Sequence, residues 1–93
     1  VKDVVRANVL AAAAAKNALG ETFNIATGKP VSVLLLLEKI ASLMGKKAEP
    51  VFEPARKGDI LHSYADVSKA SKLLSFNSEC ALEKGLEETV RSF

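Results

Sequence analysis

One cysteine, one histidine, one tyrosine and no tryptophan stand in 93 residues, and each scarcity removes a class of chemistry. Cys80 cannot form an internal disulfide, and a lone thiol with a lone histidine, His62, cannot build a structural zinc site. Such sparing use of cysteine fits a reducing, cytoplasmic setting. Basic residues number 13 and acidic residues 11, a net charge of +2. They are scattered, so the basic face that a nucleic-acid binder needs is missing. No apolar run approaches the roughly 20 residues that cross a bilayer. No Gly-x-Gly-x-x-Gly and no Walker loop is present, so nothing in this chain would hold a dinucleotide by itself. Tyr64 has no lysine four residues beyond it.

What is there suffices for one small domain over residues 1–93, without repeats or an internal boundary. The chain is 48% hydrophobic, and a chain of this length buries only about 60–65% of its unfolded surface. It begins at Val1 rather than at a methionine, as a piece of a longer protein would. Lys2 and Arg6 ahead of five alanines faintly imitate a signal peptide. Asp3, Arg6 and Asn8 break the apolar core of that pattern, and a helix is the better reading.

In order, residues 3–19 read as a helix. Asp3 can cap it, alanine favours it and Gly20 marks its end. Val4, Asn8, Ala11, Ala15 and Leu19 share one stripe, whose small side chains suit close approach to a sheet. Residues 22–26 read as a short strand with Phe23 and Ile25 on one face. Ser32 opens a second helix to Met44, closed by Gly45, with Val33, Leu36, Leu37, Ile40, Leu43 and Met44 inward. Leu35 falls among Glu38, Lys39 and Ser42, on the polar side.

Residues 49–53 and 60–65 read as strands, the first confined to an edge by Pro50 and Pro54. Asp66 caps a short helix over 67–74. A last helix, about 81–92, carries Leu82, Leu86, Val90 and Phe93 at helical spacing. The predicted order is α-β-α-β-β-α-α, an α/β or α+β chain.

No catalytic constellation emerges. Cys80 has no histidine base near it in sequence and reads as an inert thiol. Glu87 and Glu88 read as a solvated face. Lys57-Gly58-Asp59 copies an integrin-binding tripeptide, but three residues carry almost no information.

The stretch with chemical content is Arg56-Lys57-Gly58-Asp59-Ile60-Leu61-His62-Ser63-Tyr64-Ala65-Asp66. Arg56 offers a planar, multi-donor fork suited to a phosphate, with a charge that never titrates away. Gly58 permits close backbone approach or a positive φ. Asp59, acceptor-only when ionised, suits a pair of sugar hydroxyls. The same residues also describe a solvated, charged turn, the more common fate of such residues.

The order of motifs resembles one family. Val1-Lys2-Asp3-Val4-Val5-Arg6-Ala7 is similar to the V-x-D-V-x-x-A start of a late helix in extended short-chain dehydrogenase/reductases. Phe23-Asn24-Ile25-Ala26-Thr27-Gly28 is similar to their F-N-I-G-x-G strand. The stretch from Arg56 to Asp66, continued by Ser68-Lys69-Ala70, resembles R-x-G-D-x-x-x-S-x-A-D-x-S-K-A. Leu82-Glu83-Lys84-Gly85-Leu86 through Thr89, Val90 and Phe93 resembles L-E-x-G-L-x-x-T-V-x-x-F. Together they resemble the NAD-dependent nucleotide-sugar epimerases and dehydratases of the UDP-glucose 4-epimerase type.

The resemblance implies the C-terminal, substrate-binding portion of a Rossmann-type enzyme whose NAD-binding N-terminal domain, with the glycine-rich loop and the Tyr-x-x-x-Lys pair, is absent here. It implies no catalytic residue in this segment. Arg56 would bind the diphosphate, Asp59 the ribose, and Ser63 would stand at the gatekeeper position beside the sugar, where a small side chain leaves room for a 2-N-acetyl group. The intact enzyme would use NAD, act on UDP-glucose or UDP-N-acetylglucosamine, and form a homodimer, while this segment alone would be inactive. Leu35, Ser75 and Ser78 depart from the family's usual Glu, Gly and Pro. A different class of function is a free-standing, non-catalytic module for nucleotide diphosphates or a protein partner. A truncated enzyme differs from such a module in exposing the apolar faces of its first helix and of Phe23 and Ile25.

Overall fold

The computed structural model describes all 93 residues. Four α-helices form: α1 (Lys2–Ala12), α2 (Val33–Leu43), α3 (Ser68–Leu74) and α4 (Leu82–Arg91), with a 3₁₀ turn at Lys16–Ala18. The chain divides into two parts, residues 1–29 with 64–81, and residues 30–63 with 82–93.

The expected α/β order is corrected here. None of the three predicted strands, at 22–26, 49–53 and 60–65, is formed. A strand exists only through ladder hydrogen bonds to a neighbour, and no backbone hydrogen bond joins these segments to one another. Their β-forming composition is real, but within this chain it has no partner.

In the first part the core is Ala7, Ala18, Ala70, Leu74 and Phe76, with Leu10, Ala14, Phe23, Ile25 and Leu73 packed against it. Ala70 and Phe76 are each only 1% exposed. Alanines at the contact let α1, the 3₁₀ turn and α3 approach closely. The core-facing residues of α1 are therefore Ala7, buried, and Leu10, half-buried, with Ala14 beyond the helix end packed on the same core, not the expected Val4, Asn8, Ala11, Ala15 and Leu19; Val4 and Leu19 lie exposed. An alanine-rich helix has little contrast in hydrophobicity between its faces, so polar anchoring sets its rotation. Asp3 and Arg6 are held by residues 77–80.

The helix also ends at Ala12, well before Gly20. Alanine propensity favours continuation, yet Ala15 is extended (φ −66°, ψ 162°) and leads into the 3₁₀ turn that buries Ala18. Tertiary packing overrides propensity here. Asp3 does not cap α1, whose N-cap is Val1.

Residues 22–26 keep the alternation read from sequence, because Phe23 and Ile25 both pack on the core. Lys69 Nζ lies 5.5 Å from the Phe23 ring centroid and pairs with Glu21. Asn24 Nδ2 donates to the Asp66 carbonyl at 3.2 Å. Gly28 sits at φ +71°, where a Cβ would meet Val67 Cγ2 at 3.1 Å, so the turn and the close approach both favour glycine. Asp66 accepts from the N–H of Ser68 at 2.9 Å and from its hydroxyl at 2.6 Å. It thus satisfies the first turn of α3 from just before Val67, the N-cap. Those bonds hold its carboxyl below the usual carboxylate range.

The second part has no fully buried residue. Leu36, Leu37, Ile40 and Ala41 of α2 are half-buried, as are Leu82, Leu86 and Val90 of α4. Val33, Leu43 and Met44, expected inward, are exposed, Val33 by 84%. Ser32 does cap α2, its Oγ accepting from the Leu35 N–H at 3.1 Å. Lys39 Nζ pairs with Glu83 Oε1 at 2.5 Å between α2 and α4. That pairing keeps the Glu83 carboxyl below its ordinary range. The loop that carries the candidate site, residues 49–63, leaves Phe52 79% and Leu61 88% exposed.

Candidate functional site

Arg-Lys-Gly-Asp is a four-residue turn by composition. A glycine at its third position permits the positive φ that a type II turn requires there. The structure closes it. The Asp59 N–H donates to the Arg56 carbonyl at 3.1 Å, and Gly58 takes φ +94° in open space. A second bond runs in the opposite sense: Asp59 Oδ2 accepts from the Arg56 N–H at 3.3 Å.

Arg56 and Asp59 are thus brought together, with the guanidinium exposed and outside any ion pair. Asp59 Oδ1 carries no hydrogen bond. Ser63 lies further along the same loop, exposed. A fixed cation, a carboxylate oxygen and a hydroxyl are therefore available to a polar, anionic ligand, with no packed side chain to displace first. Sequence reading assigned Arg56 and Asp59 separate contacts, offered the charged turn as the alternative, and missed that Asp59 Oδ2 also holds the Arg56 N–H. The signal was the spacing of Asp59 three residues after Arg56 with a glycine between.

The other chemistry-bearing residues do not converge. His62 and Tyr64 are exposed, and no group of three or more His, Cys, Asp or Glu could hold a metal ion. Cys80 donates its N–H to Asp3 at 3.2 Å and sits half-buried after Phe76. No helix is long and apolar enough to cross a membrane.

No family model matches the chain. It is 38% identical, over all 93 residues, to the UDP-glucose 4-epimerase of Mycolicibacterium smegmatis, and covers 29% of that protein. A UDP-glucuronate 4-epimerase of Thermodesulfobacterium geofontis is 39% identical over 71 residues, which are 75% of this chain and 22% of that one. The crystal structure of UDP-glucose 4-epimerase from Thermotoga maritima with UDP-glucose superposes with a TM-score of 0.81 at 40% identity, over 97% of this chain and 28% of that one. The chain belongs to the UDP-glucose 4-epimerase family. It spans between about a fifth and three tenths of the length of the curated relatives it matches, a share that fits a C-terminal part. That likeness in three dimensions holds although the chain pairs no strands of its own.

Proposed function

We propose that this chain is the C-terminal, nucleotide-sugar-binding part of an NAD-dependent UDP-sugar 4-epimerase, and that it is inactive alone. The likeness to an epimerase solved with UDP-glucose, over 97% of the chain, carries the reading. The closed turn at Arg56–Asp59 supports it, because one short turn carries both an unpaired guanidinium and a carboxylate oxygen without a hydrogen bond, groups that suit a diphosphate and a ribose hydroxyl.

In this reading Arg56 holds the diphosphate, Asp59 Oδ1 receives a ribose hydroxyl and Ser63 faces the sugar. Their contribution is orientation: fixing the nucleotide sets where the sugar carbon lies relative to the rest of the enzyme. NAD belongs to that remainder. The residues of this chain do not fit the cofactor, since no strand leads through a glycine-rich turn into a helix N-terminus. We derive no step of hydride transfer from them. The homodimer is likewise assigned to the intact protein.

The apolar residues left in solvent favour this reading over a free-standing module. Val4, Val5 and Val9 of α1, with Val51, Phe52, Ile60 and Leu61, are all exposed, more than a self-sufficient small domain leaves in water. Phe23 and Ile25, which a truncated enzyme was expected to expose as well, are half-buried instead.

The test is an amide NMR spectrum of the 93-residue chain with and without UDP-glucose. Shifts confined to residues 56–63 support the proposal. A dispersed spectrum that ignores the ligand at millimolar concentration overturns it for the isolated chain.

A further inference from the structure

We infer that Asp59 is a positioning residue for Arg56: its carboxylate pins the Arg56 N–H and so fixes the direction in which the guanidinium leaves the loop. The functional consequence rests on the nucleotide-sugar reading, but the geometry does not.

Two hydrogen bonds tie the ends of the turn in opposite senses, Asp59 N–H to the Arg56 carbonyl at 3.1 Å and Arg56 N–H to Asp59 Oδ2 at 3.3 Å. The first restrains the carbonyl side of Arg56 and the second its amide side, so both of its peptide planes are held. Nothing else does this. Residues 55–62 are all exposed, and apart from Gly58 and its two chain neighbours nothing lies within 4 Å of where a Gly58 Cβ would be. With no side chains packed around it, a turn containing a glycine has wide backbone freedom, and the second bond removes much of it. That bond is charge-assisted, the stronger class of hydrogen bond.

Only Oδ2 is committed. One carboxylate can therefore set the arginine and still present Oδ1 to a hydroxyl. It follows that Asp59 governs binding of a phosphate group it never touches, despite carrying the same sign of charge as that group.

Two measurements on the 93-residue chain test this. The first needs no ligand. In Asp59→Ala at neutral pH the Arg56 amide proton, its acceptor removed, should shift upfield by more than those of Lys57 and Gly58 and should exchange faster with solvent. An Arg56 amide that moves no further than its neighbours and keeps its exchange rate overturns the inference.

The second uses inorganic diphosphate, which has no ribose. Charge alone predicts tighter binding when Asp59 becomes alanine. Loss of positioning predicts weaker binding by about fivefold, the equivalent of one hydrogen bond of about 1 kcal/mol. Unchanged or tighter diphosphate binding overturns the inference. If neither diphosphate nor UDP perturbs residues 56–63, it is the nucleotide-sugar reading that fails, and the Arg56 amide comparison alone decides the role of Asp59.

Discussion

The carboxylate of Asp3 accepts a 2.7 Å hydrogen bond from the hydroxyl of Ser78, joining the first turn of α1 to a residue 75 positions away. The same carboxylate takes the backbone N–H groups of Glu79 and Cys80, each at 3.2 Å. Arg6 completes the arrangement, donating to the Asn77 carbonyl and pairing with Glu79 at 3.1 Å. Its guanidinium carbon also lies 5.1 Å from the centroid of the Phe76 ring. Ser78 departs from the proline that the sequence resemblance implies, and its hydroxyl gives the first-turn carboxylate a partner that proline could not.

This arrangement makes stability depend on acid in a defined window. Hydrogen bonds from Ser78, and from the Glu79 and Cys80 amides, lower the Asp3 carboxyl from 3.8 to about 2. The unfolded chain then binds more protons than the folded one between those values. Stability from Asp3 is therefore present above 3.8 and is lost as pH falls through about 2. At neutral pH, Asp3→Asn should cost about 1–2 kcal/mol in urea unfolding, as expected for charge-assisted hydrogen bonds. The gap between the two proteins should close as pH approaches 2. A gap that stays constant across the window would show that the charge on Asp3 contributes nothing.

Ser75 is the one residue other than glycine with positive φ, at 52°. It ends α3, and the N–H of the following Phe76 reaches back to the Ala70 carbonyl at 3.2 Å. A side chain in this conformation costs roughly 1 kcal/mol that glycine avoids. Ser75→Gly should raise stability by about 0.5–1 kcal/mol, less than the full strain because glycine also loosens the unfolded chain. For a chain of this size that corresponds to several degrees in Tm, measured by circular dichroism. A fall in Tm would show that the serine hydroxyl does something the backbone geometry does not reveal.

The helices were legible in the sequence because their signals are local. Ser32 before an apolar run placed α2, Asp66 placed α3, and the spacing of Leu82, Leu86 and Val90 placed α4. What was not legible depended on distant partners. The face of α1 is set by contacts to residues 76–80, more than sixty positions away, and alanine carries too little contrast to reveal it. The segments around Phe23, Val51 and Ile60 have strand composition, yet a strand is a relation between two segments and the chain supplies no second one. At the candidate site, Arg56, Gly58 and Asp59 were identified from residue chemistry. Their closure into one turn required knowing which acceptor the Arg56 N–H would choose.

Leu35 marks an unfilled position in α2. Ser32 caps the helix through the Leu35 N–H, and no acidic residue stands in the first turn. The Leu35 side chain is 42% exposed, so replacing it sacrifices little packing. Leu35→Glu should complete a reciprocal cap and place a negative charge at the positive end of the helix dipole, a gain of about 0.5–1 kcal/mol. The urea midpoint should rise at neutral pH and return toward the parent value once the new carboxylate is protonated. A midpoint that falls would mean that Leu35 buries more apolar surface in solution than its exposure indicates.

Ser63 offers the sharpest test of substrate size. Its side chain is exposed, so Ser63→Tyr should leave the fold, and the amide spectrum outside the loop, unchanged. If Ser63 faces the sugar, the added ring should collide with a 2-N-acetyl group and spare a 2-hydroxyl. Binding of UDP-N-acetylglucosamine should then weaken by tenfold or more, about 1.4 kcal/mol, with UDP-glucose nearly unaffected. Arg56→Ala supplies the contrast, because loss of a diphosphate contact should weaken both sugars alike. Equal weakening of both by Ser63→Tyr would place the residue near the nucleotide instead of the sugar, and no effect on either would remove it from the site.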